Sequence, residues 1–268
     1  MSKGFLWFAQ NNDKTDYAKL SIELAKSIKK YNIENSICVV ADNQTKIKSE
    51  YIDSVIVLKE DNSKTDLLKF SNEYKAFNLT PFTHTIKLEA DMLFTSSTDE
   101  WWNHLGQHDM IFSIGCRNYK DIVIKKSPYR KLFDKNLLPN VYNGLFYFRK
   151  SVLSKKFFDL CKLITLNWST VKDELLINCH DIVPTTDVVY ALALRIMDPT
   201  GQLLIDYPWF KFIHSKPIIN NSENVADQYN YLYPIKLNDR IYLGGNRLNR
   251  IWHYYQKNTT DLLNDRVF

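Results

Sequence analysis

Two carboxylates two residues apart, Glu89 and Asp91, lie in an apolar run that reads Thr85-Ile86-Lys87-Leu88-Glu89-Ala90-Asp91-Met92-Leu93-Phe94. The run has the composition of a β-strand. Side chains at i and i+2 of a strand leave the same face, so both acids are expected to aim at one small volume. Such a pair repels unless a cation or a proton sits between its members. Hard cations such as Mg2+ and Mn2+ take oxygen ligands and also grip phosphate oxygens. An acid-x-acid pair at the end of a strand therefore suits a metal–diphosphate clamp. It equally suits a half-exposed strand, with Ile86, Leu88, Ala90 and Met92 on the inner face.

Charge is the second chemical signal. Residues 117–156 hold eleven basic side chains, among them Arg117, Lys125, Lys126 and Arg130, against two acids. That block is +9, and the rest of the chain is −4, giving the overall +5. A block of this kind suits a solvated face or a polyanion such as nucleic acid. Tyr119, Tyr129 and Tyr142 are interleaved with it, as base-stacking or loop-anchoring residues would be.

Elements able to position these groups can be read along the chain. Residues 5–9, 37–41 and 54–58 read as strands, and Tyr17, Leu20, Leu24, Ile28 and Tyr31 form a helical stripe. A helix is expected over 72–79, stopped by Pro81. Ser97 to Glu100 has capping-box spacing ahead of Trp101 and Trp102. Residues 110–114 and 142–148 read as strands. Ser151 can cap a helix containing Phe157 and Ile164. A further helix runs through Val171, Leu175 and Cys179, and another starts at 184–187 and continues through Val188, Leu192 and Ile196. Alternation of this kind predicts an α/β fold with a mainly parallel sheet flanked by helices. Ligands of such sheets sit at the carboxyl ends of the strands.

The 268 residues, 45% of them hydrophobic, suit one domain. No apolar run approaches the ~18 residues of a membrane span, and the apolar start is too short for a secretory signal. Cys38, Cys116, Cys161 and Cys179 have no metal-ligand spacing, so reduced thiols in a cytoplasmic protein are expected. The 7 glycines form no phosphate-cradling loop.

The order of motifs resembles the GT-A glycosyltransferases, especially the family 8, glycogenin-like branch. Phe8-Ala9-Gln10-Asn11 and Tyr17 match the nucleotide-binding strand and helix of that family. Lys75 matches its lysine ahead of the metal strand. Leu88-Glu89-Ala90-Asp91 stands where those enzymes read Leu-Asp-x-Asp, with a Glu for the first Asp. Tyr142-Asn143-Gly144-Leu145 matches a following Asn-x-Gly strand, and Asp187 an acid at the start of a helix. Ile251-Trp252-His253-Tyr254-Tyr255-Gln256-Lys257 matches the terminal His/Lys element. Phe212-Ile213-His214-Ser215-Lys216-Pro217 is its rival, and His253 is favoured for its place near the end.

The resemblance implies a GT-A fold over residues 1–268, with a nucleotide-sugar-binding half at 1–115 and an acceptor-binding half at 116–268. It implies sugar transfer from a nucleoside diphosphate sugar, such as a UDP-sugar, to a hydroxyl acceptor. Mn2+ or Mg2+ would be held by Asp91, Glu89 and His253, Glu89 reaching a metal-bound water or the ribose. Ala9, Asn11, Tyr17, Lys75, Asn143 and Lys257 would bind the donor. Asp187 would be the base or would face the anomeric carbon; as a bare sequence feature it is also an ordinary N-terminal helix charge. Arg117, Lys125, Lys126, Arg130 and His214 would lie toward the acceptor. The compact, Asn/Lys/Tyr-rich style also resembles bacteriophage enzymes that glycosylate hydroxylated pyrimidines in DNA, which would place the protein in the host cytoplasm. A surface glycan or protein is the alternative acceptor. A nucleotidyltransferase and a non-enzymatic nucleic-acid binder are the competing classes.

Overall fold

Apolar strands that lack polar alternation must be covered on both faces, and the first half of the chain folds in that way. The computed structural model describes residues 2–63, 66–124, 130–216, 219 and 233–264. Strands and helices alternate as β1 (Lys3–Ala9), α1 (Tyr17–Tyr31), β2 (Ser36–Ala41) and β3 (Ser54–Val57). A 3-10 stretch (Asp66–Lys75) runs into α2 (Ala76–Leu79), followed by β4 (His84–Leu88), β5 (Met92–Leu93), α3 (Trp101–Leu105) and β6 (Met110–Ile114). Next come β7 (Cys116–Arg117), β8 (Val123–Ile124), α4 (Lys131–Lys135), β9 (Val141–Arg149), α5 (Val152–Leu166), α6 (Trp168–Leu175) and α7 (Thr186–Met197). Short strands β10 (Ile213–His214), β11 (Pro234–Leu237), β12 (Arg240–Leu243), β13 (Asn246–Arg247) and β14 (Trp252–His253) precede a last helix (Thr259–Asn264).

The protein is mixed α/β, with a mainly parallel central sheet in the order β3-β2-β1-β4-β9-β6. β1 to β4 run parallel, and β9 runs antiparallel to both of its neighbours. The carboxyl ends of β1 and β4 therefore share one edge with the amino end of β9. Phe5, Trp7 and Ala9 face one core with Leu24, Ala25 and Ile28 of α1. Leu6 faces the other, under α5 and α7. Leu24 and Ile28 are fully buried, and each contributes about 2 kcal/mol. A second sheet, β5-β14-β10-β7-β8, packs beside the site edge. β9 joins the sheet of the first half, and β5 joins β14 of the second, so the two halves interlock. Among the described residues no helix is long and apolar enough to cross a membrane.

Several local expectations change. The segment expected as a helix over 72–79 winds as a 3-10 turn through Lys75 before a single α-turn. The capping box at Ser97 does not form: α3 starts without a side-chain cap. Asn32 Oδ1 instead takes the Thr98 N–H at 2.7 Å, tying this loop to the end of α1. α6 ends at Leu175, short of Cys179. Ser151 does cap α5, accepting from the Ser154 N–H.

Candidate active site

Glu89 and Asp91 do not share a strand. β4 ends at Leu88, and β5 begins at Met92 in the other sheet. The chain turns here because it crosses from one sheet to the other. The acids converge through that turn and not through strand alternation. His253 arrives because β14 pairs antiparallel with β5, placing His253 opposite Met92. The Tyr254 N–H donates to the Asp91 carbonyl at 3.2 Å, fixing the junction. His253 Nε2 lies 3.1 Å from Asp91 Oδ2 and 3.4 Å from Glu89 Oε2. One donor atom from each of the three residues lies within 4.8 Å of the others. The Lys257 ammonium bonds to the same Asp91 oxygen.

His214 stands opposite His253 in the parallel β10–β14 pair. The two rings stack, with centroids 4.5 Å apart and planes 5° from parallel. Both terminal histidines thus enter the site, but His253 joins the acids and His214 backs it. Burial, reinforced by His253, holds His214 far below the usual imidazole range. His253 goes the other way: burial lowers it, but Asp91 and Glu89 outweigh burial and raise it. Burial pushes Asp91 up, yet His253 and Lys257 hold it well below the usual carboxylate range. Glu89 is raised by burial more than His253 can offset.

Asp187, at the first turn of α7, reaches the same edge from the opposite side. A register shift between Phe112 and Ser113 moves the partner from Phe146 to Tyr142, so β9 bulges over 143–145. The bulge frees the Asn143 N–H to donate to Asp187 Oδ1 at 2.7 Å. Bulges beside functional sites commonly re-aim a group in this way. The Asn143 amide donates to Glu89 Oε1 at 2.8 Å, and its carbonyl oxygen accepts from Lys87 at 2.8 Å. Because an ammonium only donates, Lys87 fixes which way this amide points. Lys87 is fully buried and pairs with Glu73 at 2.5 Å. Gly144 leaves room for the cluster: a Cβ there would lie 2.8 Å from Glu89 Oε2.

Apart from Asn143 and Lys87, which are not part of its lining, these groups line a cavity of about 330 Å³, together with Tyr17, Lys216 and Tyr254. Tyr17 forms part of the wall, with the Lys257 ammonium 6.0 Å from its ring centre. Gln10 and Asn12 face the cavity, whereas the expected Ala9 and Asn11 do not. Ala9 is buried in the sheet. Asn11 is used at the start of α1, accepting from the Ala18 N–H at 3.0 Å and donating to Asp16 at 3.1 Å. Lys75 is outside the cavity: it bonds to the Glu60 carbonyl and lies over Tyr74. Its 3-10 winding gives it a different face from the one an α-helix would. Lys257 is the lysine that bonds to Asp91, and Lys87 supports Glu89 through the Asn143 amide. The trace of Lys87 in the sequence is a charge inside the apolar run Ile86-Lys87-Leu88.

The acceptor-side residues also separate. Arg117 is spent on loop carbonyls, donating to Asp121 and Pro208 at 2.6 and 3.0 Å. Arg130 is buried and bonds to Asp187 at 3.1 Å. Lys125 and Lys126 lie outside the described residues. The described residues of the basic block do not form one face: Arg149 pairs with Asp109 at the opposite end of β9. That end is opposite His84, where β4 begins, some 13 Å along the strand from Leu88. His84 is structural, its ring bonded to the Tyr147 hydroxyl at 2.6 Å. Trp209 packs against Tyr207 and Trp101. All four cysteines are free thiols, and three are buried.

Two carboxylates and an imidazole suit a divalent ion of intermediate hardness such as Mn2+. The gap kept by Gly144 and the cationic Lys257 on Asp91 fit a place where positive charge is held. At the other end, Asp187 lines the wall and is held by the Asn143 N–H. No family model matches this chain, and no curated protein matches it.

Proposed function

We propose that this protein is a metal-dependent glycosyltransferase of the GT-A type, moving a sugar from a nucleoside diphosphate sugar to a hydroxyl acceptor. One observation carries the reading. Glu89, Asp91 and His253 meet at the carboxyl edge of a mainly parallel sheet, in one cavity with Lys257, Tyr17 and Asp187. The strand order, with parallel β1 to β4 and an antiparallel β9, supports it.

The chemistry is charge management. As the anomeric carbon becomes oxocarbenium-like, negative charge builds on the departing diphosphate. A divalent ion would be held by Asp91, His253 and Glu89, and it would supply Lewis-acid neutralisation of that charge. Lys257 swings from Asp91 toward the phosphates and adds a second positive charge. Tyr17 offers its ring to the base. Asp187, held by Asn143, faces the sugar, where a fixed carboxylate favours positive charge at the anomeric carbon.

A thermal-shift panel of nucleotide sugars with and without Mn2+ tests this reading. A donor that stabilises the protein only with Mn2+ is the expected result, and Asp91→Ala should abolish that shift while the protein stays folded. Stabilisation by a nucleoside triphosphate with pyrophosphate release would transfer the site to a nucleotidyltransferase. No response to any nucleotide would sink the enzymatic reading. The acceptor is tested by salt. Transfer to hydroxylated DNA should weaken steeply with ionic strength, and transfer to a neutral glycan should not.

A further inference from the structure

Arg130 is a deeply enclosed charge near the cavity, with 3% of its side chain exposed. Its guanidinium carbon lies 3.8 Å from the centre of the Phe133 ring and 4.0 Å from that of Tyr142. Both faces of the planar group are therefore covered. At its edge, Nη1 donates to Asp187 Oδ2 at 3.1 Å and Nη2 to the Val141 carbonyl at 2.5 Å. A guanidinium closed in this way offers no face to an acceptor.

Asp187 has a competing attraction. It sits in the first turn of α7, whose N-cap, Thr185, makes no side-chain bond to the helix. The free N–H groups there attract a nearby carboxylate. Left alone, Asp187 would fold back onto its own helix. Arg130 on Oδ2 and the Asn143 N–H on Oδ1 hold it out over the cavity instead. A planar fork held between two rings fixes direction in a way an ammonium cannot.

We infer that Arg130 is a positioning residue: it aims Asp187 at the sugar end of the cavity and so governs turnover, not donor affinity. The inference rests on the transferase reading. Misplacing a reacting group by about 1 Å can cost on the order of a hundredfold in rate.

The test uses Arg130→Lys, Asp187→Asn and the double variant. Nucleoside diphosphate release is followed from UDP-glucose, UDP-galactose and UDP-N-acetylglucosamine with Mn2+, with water as the acceptor of the released sugar and free hexose as the second product. For the donor that is turned over, Arg130→Lys should lower kcat about a hundredfold with KM within about twofold. The double variant should be no slower than Asp187→Asn alone, because both changes remove one function. A raised KM at unchanged kcat, or losses that multiply in the double variant, would overturn the inference. A second readout needs no donor. Amide exchange of the peptide spanning 141–145 should quicken in Arg130→Lys and not in Lys75→Ala. Unchanged exchange would overturn the positioning role whatever the activity. If wild-type protein releases no diphosphate while exchange does quicken, the transferase reading fails and the hold on Asp187 stands.

Discussion

The two ends of the cavity balance their acids in different ways. Asp91 is neutralised by His253 and Lys257, which come from the last strand and the loop after it. Lys257 is 36% exposed, so its own charge stays hydrated if it lets go, and His253 remains on Asp91. Asp187 and Glu89 are held from the other side by Arg130 and, through Asn143, by Lys87, which are 3% and 0% exposed. Those partners cannot leave without opening the core. On the proposed reading, one end would exchange its counter-charge for an incoming cation. The other would keep its geometry during that exchange.

The sharpest way to break this contrast is at Lys87. Lys87→Met strands Glu73 and leaves the Asn143 carbonyl oxygen without its donor. Breaking a buried pair from one side costs about 3–5 kcal/mol. The denaturation midpoint should fall accordingly, and adding Glu73→Gln should recover part of the loss. A midpoint indistinguishable from wild type would mean that the rigid end is not rigid.

Next in size is Gly144→Ala. The new Cβ would meet Glu89 Oε2 at 2.8 Å and push that carboxylate away from Asp91 and His253. Disturbing the support of a ligand typically costs about 10–100-fold in metal affinity. Calorimetric titration with Mn2+ should show a loss at the lower end of that range, with the melting temperature little changed. Equal Mn2+ affinity in the two proteins would remove Glu89 from the cluster.

What the sequence revealed of this contrast was uneven. β1, the α1 stripe and the Ser151 cap follow from periodicity and local hydrogen bonding, which act within a few residues. The cluster of Asp91 and His253 was legible only as residue types, because its geometry comes from β5 meeting β14 across the chain. His214 and His253 read as rivals, yet they are neighbours, since the β10–β14 pairing leaves no trace in either segment. The bulge that turns the Asn143 N–H toward Asp187 depends on β6, so no pattern within β9 announces it. The place of Lys75 outside the cavity and of Lys87 behind Asn143 has a similar reason. The helix expected over 72–79 winds as 3-10 through Lys75, and the charge of Lys87 lies inside an apolar strand whose pattern does not show that it is buried.

The exchangeable end should also respond to pH. His253 has its folded-state value raised, so its contribution to apo stability is full below the unfolded value and is lost as pH rises through the folded one. Asp91 has its value depressed, so its contribution is full above the unfolded value and is lost as pH falls through the folded one. Their joint contribution to the metal-free protein is therefore greatest between about pH 4 and 6.5. A metal ligand must shed its proton, so Mn2+ affinity should rise from pH 6 to pH 8, by at most about tenfold per unit for one proton. Titrations in the His253→Gln variant should be flatter. A wild-type affinity independent of pH would mean that His253 is not displaced from its ion pairs by the metal.

The smallest effect is expected at the lysine that sequence order favoured. Lys75 bonds to a backbone carbonyl and has no charged partner in the cavity. Surface changes of that kind stay within about 0.5 kcal/mol. Lys75→Ala should therefore leave stability and Mn2+-dependent donor binding close to wild type, while Lys257→Ala should weaken donor binding. The pair separates two accounts of the phosphate charge. If Lys75→Ala weakens donor binding as much as Lys257→Ala does, the segment before β4 must close over the donor. The division between an exchangeable end and a fixed one would then hold only for the empty protein.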